Sequence, residues 1–390
     1  MELNIYPKLY LQKGREKSDS RFHPWIFSGA ISSKTTNIRQ GDLVSVFSAD
    51  EEFIGIGTFS PSTIAVKILS RIDVLINKDF WLVKLRDARK LREELDINSN
   101  AYRLVHGEGD YLPGLIIDKY DRVFVIQAHD EGIFKQIENI KNALVDLYGK
   151  DISIYNKSKK SIPFLNNVED SYIYGEELEQ VIIEENGLKF YVDIVSGQKT
   201  GFYIDQRDNR KLINKFSKGK KVLNTFCYSG AFSVYALSAG ASSCHSVDSS
   251  EIAITKTKEN IELNFKNSNH TEEKIEVFKF FERNTEKFEL IIVDPPSFAK
   301  HPRAKKQALH AYTKTNRMAI EALEEKGIIF TFSCSQAVSE EEFQRSIFNA
   351  VLSTNRKCQI IAKLGQPSDH PLDIYHQEGK YLKGFLLKFD

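Results

Sequence analysis

Residues 288–298 read FELIIVDPPSF. The uninterrupted Leu-Ile-Ile-Val run is the pattern of a strand buried on both faces, as in a parallel sheet covered by helices. It stops at Asp294, where Pro295 and Pro296 remove two backbone donors and stiffen the chain as it leaves the sheet. The rhythm continues on either side. KKVLNTFCYSG (220–230) reads as strand and turn, AFSVYALSAG (231–240) as helix, SSCHSVDSS (242–250) as strand and EIAITKTKENIELNF (251–265) as helix. AYTKTNRMAIEALEE (311–325) then reads as helix and GIIFTFSCS (327–335) as strand. Strands alternating with helices predict a mostly parallel, doubly wound sheet, in which ligands bind beyond the carboxyl ends of the strands. An α/β, Rossmann-like domain is therefore expected over residues 181–390.

Upstream the pattern differs. GDLVSVFSADEEFIGIGTFSPSTIAVKILS (41–70) alternates short β-branched and aromatic runs with turn residues, which predicts a small β-rich domain over residues 1–71. KDFWLVKLRDARKLREEL (78–95) has helical apolar spacing, followed by two strands around a Gly/Pro turn, a further helix and another strand. That order predicts an α+β middle domain over residues 72–180, with the weakly periodic residues 160–180 as a connector.

With 390 residues, 41% hydrophobic and 27% charged, the chain has the composition of a globular protein of two or three domains. No apolar run is long enough for a membrane span, and MELNIYPKLY has no secretory pattern, so the cytoplasm is the expected location. Cys227, Cys244, Cys334 and Cys358 show neither CxxC pairing nor zinc-ligand spacing, so no metal is expected. The net charge is +1, yet seven basic residues face three acidic ones over residues 1–40. Over 300–317, six basic residues, among them Lys300, Arg303, Lys305 and Lys306, face none. Such patches suit a polyanion, although a solvated helix face has the same composition.

Each candidate site stands at a strand end. Gly230 opens a helix and Asp248 ends the next strand, the arrangement that holds a nucleoside with a carboxylate on its ribose hydroxyls. A single glycine in place of three argues against a pyrophosphate and for a nucleoside such as S-adenosylmethionine. The alternative is a packing glycine and a helix cap. Asp294-Pro-Pro presents a rigid carboxylate of the kind that class I methyltransferases set against a planar base; a plain surface turn is its alternative. Cys334 ends the following strand. A thiolate there could add to carbon-6 of a cytosine and activate carbon-5, whereas a cysteine on an apolar strand is ordinarily a packing residue. In IVSGQKTGFYIDQRDNR (194–210), Phe202, Tyr203, Gln206 and Arg207 could stack on and hydrogen-bond a base or adenine, or serve the start of a helix near Asp205.

Taken together, GFYIDQRDNR, VLNTFCYSGAF, VDSS, ELIIVDPPSF, FTFSCS, DHP (369–371) and EGKYLKGF (378–385) resemble the RlmI-type family of bacterial 23S rRNA cytosine carbon-5 methyltransferases. HPWIFSGAI (23–31) and the GD at Gly41 are similar to that family's PUA domain, and RLVHGEGDYLPGLIIDKY (103–120) to its central domain. The resemblance implies a PUA domain, an α+β middle domain and a Rossmann-like class I methyltransferase domain that uses S-adenosylmethionine on ribosomal RNA. It implies Cys334 as nucleophile, Asp294 as base-holding carboxylate and Asp248 as ribose acid. Phe202, Tyr203, Asn224, Phe226, Gly230, Glu276 and Pro295 are the further expected cofactor contacts. RNA contacts are expected from Arg21, His23 and Trp25, from Lys199, Gln206 and Arg207, and from Lys300, Arg303, Lys305 and Lys306. A homodimer is left open. Three features depart from related patterns. Pro296 stands where many other RNA cytosine methyltransferases carry a second cysteine. The family's acidic pair before VFK is Ile275 and Glu276 here, and the proline expected just before Glu378-Gly379 is absent. A base-nitrogen methyltransferase and a non-catalytic RNA-binding assembly factor are the alternative functions.

Overall fold

The computed structural model describes residues 5–15, 22–35, 37–166, 168–299 and 301–390, so Arg21 and Lys300 lie outside the described residues. The chain forms two compact units and passes between them more than once. Unit one is Met1–Ile183, Val192–Phe202 and Ser368–Gly379; unit two is Glu184–Tyr191, Tyr203–Pro367 and Lys380–Asp390.

Unit one begins with a six-stranded sheet formed by Lys8–Leu11, Trp25–Phe27, Ile31–Lys34, Leu43–Phe47, Phe53–Phe59 and Ile64–Ser70. Leu9, Val44, Val46 and Val66 are its fully buried core. A five-stranded sheet follows, and the helices Lys78–Glu94 and Ile137–Tyr148 contribute to its core. The first helix starts where its spacing predicts, because Asn77 caps it by accepting from the Phe80 N–H. One expectation is corrected: Ser171–Tyr174, within the predicted connector, pairs antiparallel with Ser153–Asn156 as an edge strand. Asp369 and His370 of the Asp369-His370-Pro371 segment are buried in this unit. Arg92 donates to the Asp369 carbonyl, and the Arg103 N–H donates to its carboxylate.

Unit two is built on a seven-stranded sheet. Its strands are β1 (Lys221–Thr225), β2 (Ser243–Asp248), β3 (His270–Lys274), β4 (Phe288–Val293), β5 (Leu323–Ser333), β6 (Cys358–Gly365) and β7 (Lys383–Phe389). They lie in the order β3-β2-β1-β4-β5-β7-β6. The first five are parallel, and β7 runs antiparallel between β5 and β6. The connecting helices are α1 (Arg207–Ser217), α2 (Ala231–Ser238), α3 (Glu251–Asn264), α4 (Val277–Arg283), α5 (Lys305–Glu321) and α6 (Glu340–Thr354). Leu290, Ile291, Ile292 and Val293 of β4 are at most 1% exposed, as the apolar run requires. The strand predicted at 327 in fact starts at Leu323. Leu323 pairs with Phe288 and the pairing then skips to Ile328, so Glu324–Gly327 bulge outward with Lys326 in the left-handed region.

Candidate active site

The ends of β4 and β5 are tied together through one serine. Ser335 Oγ lies 3.0 Å from Ser297 Oγ and 2.8 Å from the Tyr312 hydroxyl, and it accepts from the Ala299 N–H at 3.2 Å. Ser333 donates to the same tyrosine at 2.9 Å. Both serines are fully buried, while Cys334 between them is half-buried, with Sγ 4.0 Å from the Pro295 carbonyl. The polar residues flanking the cysteine are thus spent on a clamp that joins its turn to the Asp294-Pro-Pro-Ser turn. Burial pushes the Cys227 thiol strongly up, Cys244 to about 12 and Cys358 to about 11, which favours the protonated thiol at these three positions at neutral pH.

Asp294 is oriented from behind. Gln206 donates to its carboxylate at 3.1 Å, and Asn209 donates to Gln206 Oε1 at 2.6 Å and to the Gly365 carbonyl at 3.0 Å. Gln206, Arg207 and Asn209 are all nearly buried, so Gln206 and Arg207 form part of the interior and not an open RNA-facing surface. Arg210 is fully buried against Glu185 in a bidentate pair at 2.8 and 2.7 Å and donates to the Tyr203 carbonyl. Tyr203 meets Tyr228 edge to face at 4.9 Å. Burial first, and then the negative charge of neighbours that include Asp294 and Cys334, holds the Tyr203 hydroxyl well above its ordinary pKa, leaving it a neutral donor.

The turn from β1 to α2 carries three left-handed residues, Phe226, Tyr228 and Gly230, at φ 57°, 49° and 69°. Two of these are aromatic, and such conformations persist only where the surroundings impose them. Here α3 supplies the restraint. Thr257 donates to the Tyr228 carbonyl and Asn260 to the Ser229 carbonyl, and a Cβ on Gly230 would come within 2.5 Å of Thr257. Asp248 accepts from the N–H groups of Tyr228 and Ser250, which fixes its carboxylate at the end of β2. A strained turn opening a helix, next to an oriented carboxylate, fits the amino-acid and ribose portions of S-adenosylmethionine.

The other predicted residues are distributed as follows. Asn224 is fully buried, and its amide N–H donates to Ser233, which meets Ser246 and through it His270. Glu276 is exposed at the start of α4, 4.0 Å from Lys279. In unit one, Phe202 is 2% exposed and its N–H meets the Tyr120 hydroxyl, so its ring has little surface to offer an adenine, while Lys199 is exposed. Arg303 and Lys306 are exposed, whereas Lys305 pairs with Glu342 at 2.9 Å. Trp25 gives its indole N–H to Glu108 and packs against His376, and His23 Nδ1 accepts from the Trp25 N–H. His376 donates its backbone N–H to the Asp373 carbonyl, closing a turn just ahead of the position where the related proline is absent. The sequence reading missed Tyr312, Ser335 and Lys383. The last had a signal, a lysine at the head of the apolar run KGFLLKF.

Among the described residues no His, Cys, Asp or Glu cluster is suited to a metal ion, and no helix is long and apolar enough to cross a membrane.

The family model described as S-adenosylmethionine-dependent methyltransferase matches residues 102–343, and a PUA-like domain model matches residues 9–71. Proteins named ribosomal RNA large subunit methyltransferase I from Aliivibrio fischeri and Aeromonas salmonicida are 38% identical over 97% of this chain and 98% of their own. A methyltransferase solved in complex with SAH superposes with a TM-score of 0.84 at 26% identity, covering 98% of this chain and 99% of that one. With a PUA-like domain at its N-terminus and S-adenosylmethionine as its cofactor, this chain belongs to the S-adenosylmethionine-dependent methyltransferase family that includes the ribosomal RNA large subunit methyltransferase I proteins.

Proposed function

We propose that the protein methylates carbon-5 of a cytosine in large-subunit ribosomal RNA through a transient bond from Cys334 to carbon-6. The observation that carries this reading is the clamp, in which Ser335 joins the Cys334 turn to the Asp294 turn and Cys334 Sγ lies 4.0 Å from Pro295 O. A base-nitrogen methyltransferase needs the Asp294 turn but has no use for a thiol held beside it. The names of the relatives support ribosomal RNA as the substrate.

On this reading the target cytosine leaves its stack, and Asp294, steadied by Gln206, accepts a hydrogen bond from the exocyclic amine. The Cys334 thiolate forms the S–C6 bond, and the electrons of the C5=C6 bond move into the ring, leaving carbon-5 nucleophilic. Bound S-adenosylmethionine supplies the methyl group. Solvent water then takes the carbon-5 proton, the C5–H electrons re-form the C5=C6 bond, and the S–C6 bond breaks to release the Cys334 thiolate. Asp248 and the Phe226–Gly230 turn hold the cofactor, while Arg303, Lys306, Lys199, His23 and Trp25 contact RNA. Nucleoside mass spectrometry of large-subunit rRNA treated with wild type and with Cys334→Ala tests this directly. Only the wild type should yield 5-methylcytidine; an N-methylated product, or 5-methylcytidine from the variant, would overturn the reading.

A further inference from the structure

Lys383 is 4% exposed at the first position of β7, where it pairs with Ser333 of β5. Its ammonium donates to the Ser335 carbonyl at 2.6 Å and to the Val338 carbonyl at 2.9 Å, the turn that immediately follows Cys334. Burying a lysine costs free energy unless its charge is used. Two backbone carbonyls could be satisfied by a neutral donor, so hydrogen bonding alone does not account for an ammonium here.

The surrounding charges show what the ammonium can serve. On α6, Glu340 and Glu342 both act on Lys383, but Glu340 is already paired with Lys363 at 2.6 Å and Lys380 at 2.8 Å, and Glu342 with Lys305 at 2.9 Å. Tyr312 on α5 and Tyr203 before α1 lie within electrostatic reach of Cys334; burial raises the pKa of both hydroxyls, so both stay neutral. Asp294, on the turn after β4, carries negative charge and opposes a second anion nearby. Lys380 pushes against the Lys383 charge, and burial lowers the Lys383 pKa to about 8, while a negative Cys334 raises it. Of the anionic groups that act on Lys383, Cys334 is the one whose following turn the ammonium itself holds.

We propose that Lys383 is a positioning residue for Cys334: its ammonium fixes the Ser335–Val338 turn and supplies the positive charge that stabilises the thiolate against Asp294. This rests on Cys334 being the nucleophile. The Cys334 S–H gives its proton to solvent, and the resulting ion pair is the reactive form.

The test is the pH profile of Cys334 alkylation by iodoacetamide in the full chain, without RNA or cofactor. The labelled peptide is read by mass spectrometry, with Cys358 as internal control. In the wild type the Cys334 midpoint should fall below the ordinary thiol value of about 8.5. It should rise by about one unit in Lys383→Met and Lys383→Gln and return toward wild type in Lys383→Arg, with Cys358 unmoved. A wild-type midpoint at or above the ordinary value overturns the proposal without any variant having to fold. So does a Cys334 profile in folded Lys383→Gln that superimposes on wild type. If Cys334→Ala keeps carbon-5 methylation, the nucleophile reading itself fails, and the alkylation profiles separate that failure from one confined to Lys383.

Discussion

The Tyr312 hydroxyl lies 2.8 Å from Ser335 Oγ and accepts from Ser333 Oγ at 2.9 Å, so one side chain of α5 holds both neighbours of Cys334. Removing that hydroxyl leaves two buried serines short of a partner, at a cost of about 1–3 kcal/mol. Tyr312→Phe should lower stability by that amount in urea denaturation. It should also reduce kcat by about tenfold, because the thiol is no longer fixed against the Asp294 turn. Unchanged kcat would mean that the clamp does not serve catalysis.

Gln206 stands 3.1 Å behind Asp294, and Asn209 stands behind Gln206. Gln206→Leu releases the carboxylate but leaves the β1–α2 turn intact. Methylation of RNA should drop by about 10- to 100-fold, while calorimetry with S-adenosylmethionine gives an affinity within about twofold of wild type. An equal loss of cofactor affinity would place Gln206 in the cofactor site instead.

At Gly230, φ is 69° and a methyl group would meet Thr257 at 2.5 Å. Gly230→Ala adds about 1–2 kcal/mol of left-handed strain before any clash with Thr257. The turn should shift, and S-adenosylmethionine affinity should weaken by about tenfold or more in calorimetry. Wild-type affinity would show that this turn does not hold the cofactor.

His106 in unit one is held neutral in the fold. Burial first, then the charges of Arg103 and Arg92 with His370 adjacent, pushes its pKa far below 6.5, and Arg103 Nη1 lies 3.2 Å from Nδ1. The unfolded chain binds a proton at this residue near 6.5 and the folded chain does not. The contribution is therefore complete above that pH and is lost as pH falls below it, with a slope of up to about 1.4 kcal/mol per unit. Urea midpoints should decline from pH 7 to pH 5, and His106→Gln should flatten that decline. A slope unaffected by the substitution would assign the acid sensitivity elsewhere.

The βα rhythm of unit two was legible because strands buried on both faces read as continuous apolar runs, FELIIV above all. The edge strand Ser171–Tyr174 was not: four residues, none of them buried, carry no periodic signal. Cys334, Asp294, Gly230 and Asp248 could be placed at strand ends because the topology puts them there. The direction in which a polar side chain turns was not legible. Gln206 read as a ligand contact, yet it supports Asp294 from behind, and the Asn224 amide N–H turns to Ser233. Lys383 was visible as a charge in an apolar strand, but its partners lie on β5 and in the turn beyond it, which only the fold brings together.

The most direct measurement replaces cytidine by 5-fluorocytidine in a large-subunit rRNA substrate and maps the protein by mass spectrometry after reaction with S-adenosylmethionine. Fluorine cannot leave carbon-5 as the proton does, so the S–C6 bond cannot be released after methyl transfer. The peptide containing Cys334 should carry the 5-fluoro-5-methyl cytidine adduct, and Cys334→Ala should carry none. Formation of 5-methylcytidine on unmodified RNA, with no adduct on Cys334 from the fluorinated substrate, would contradict the assignment of Cys334 as nucleophile.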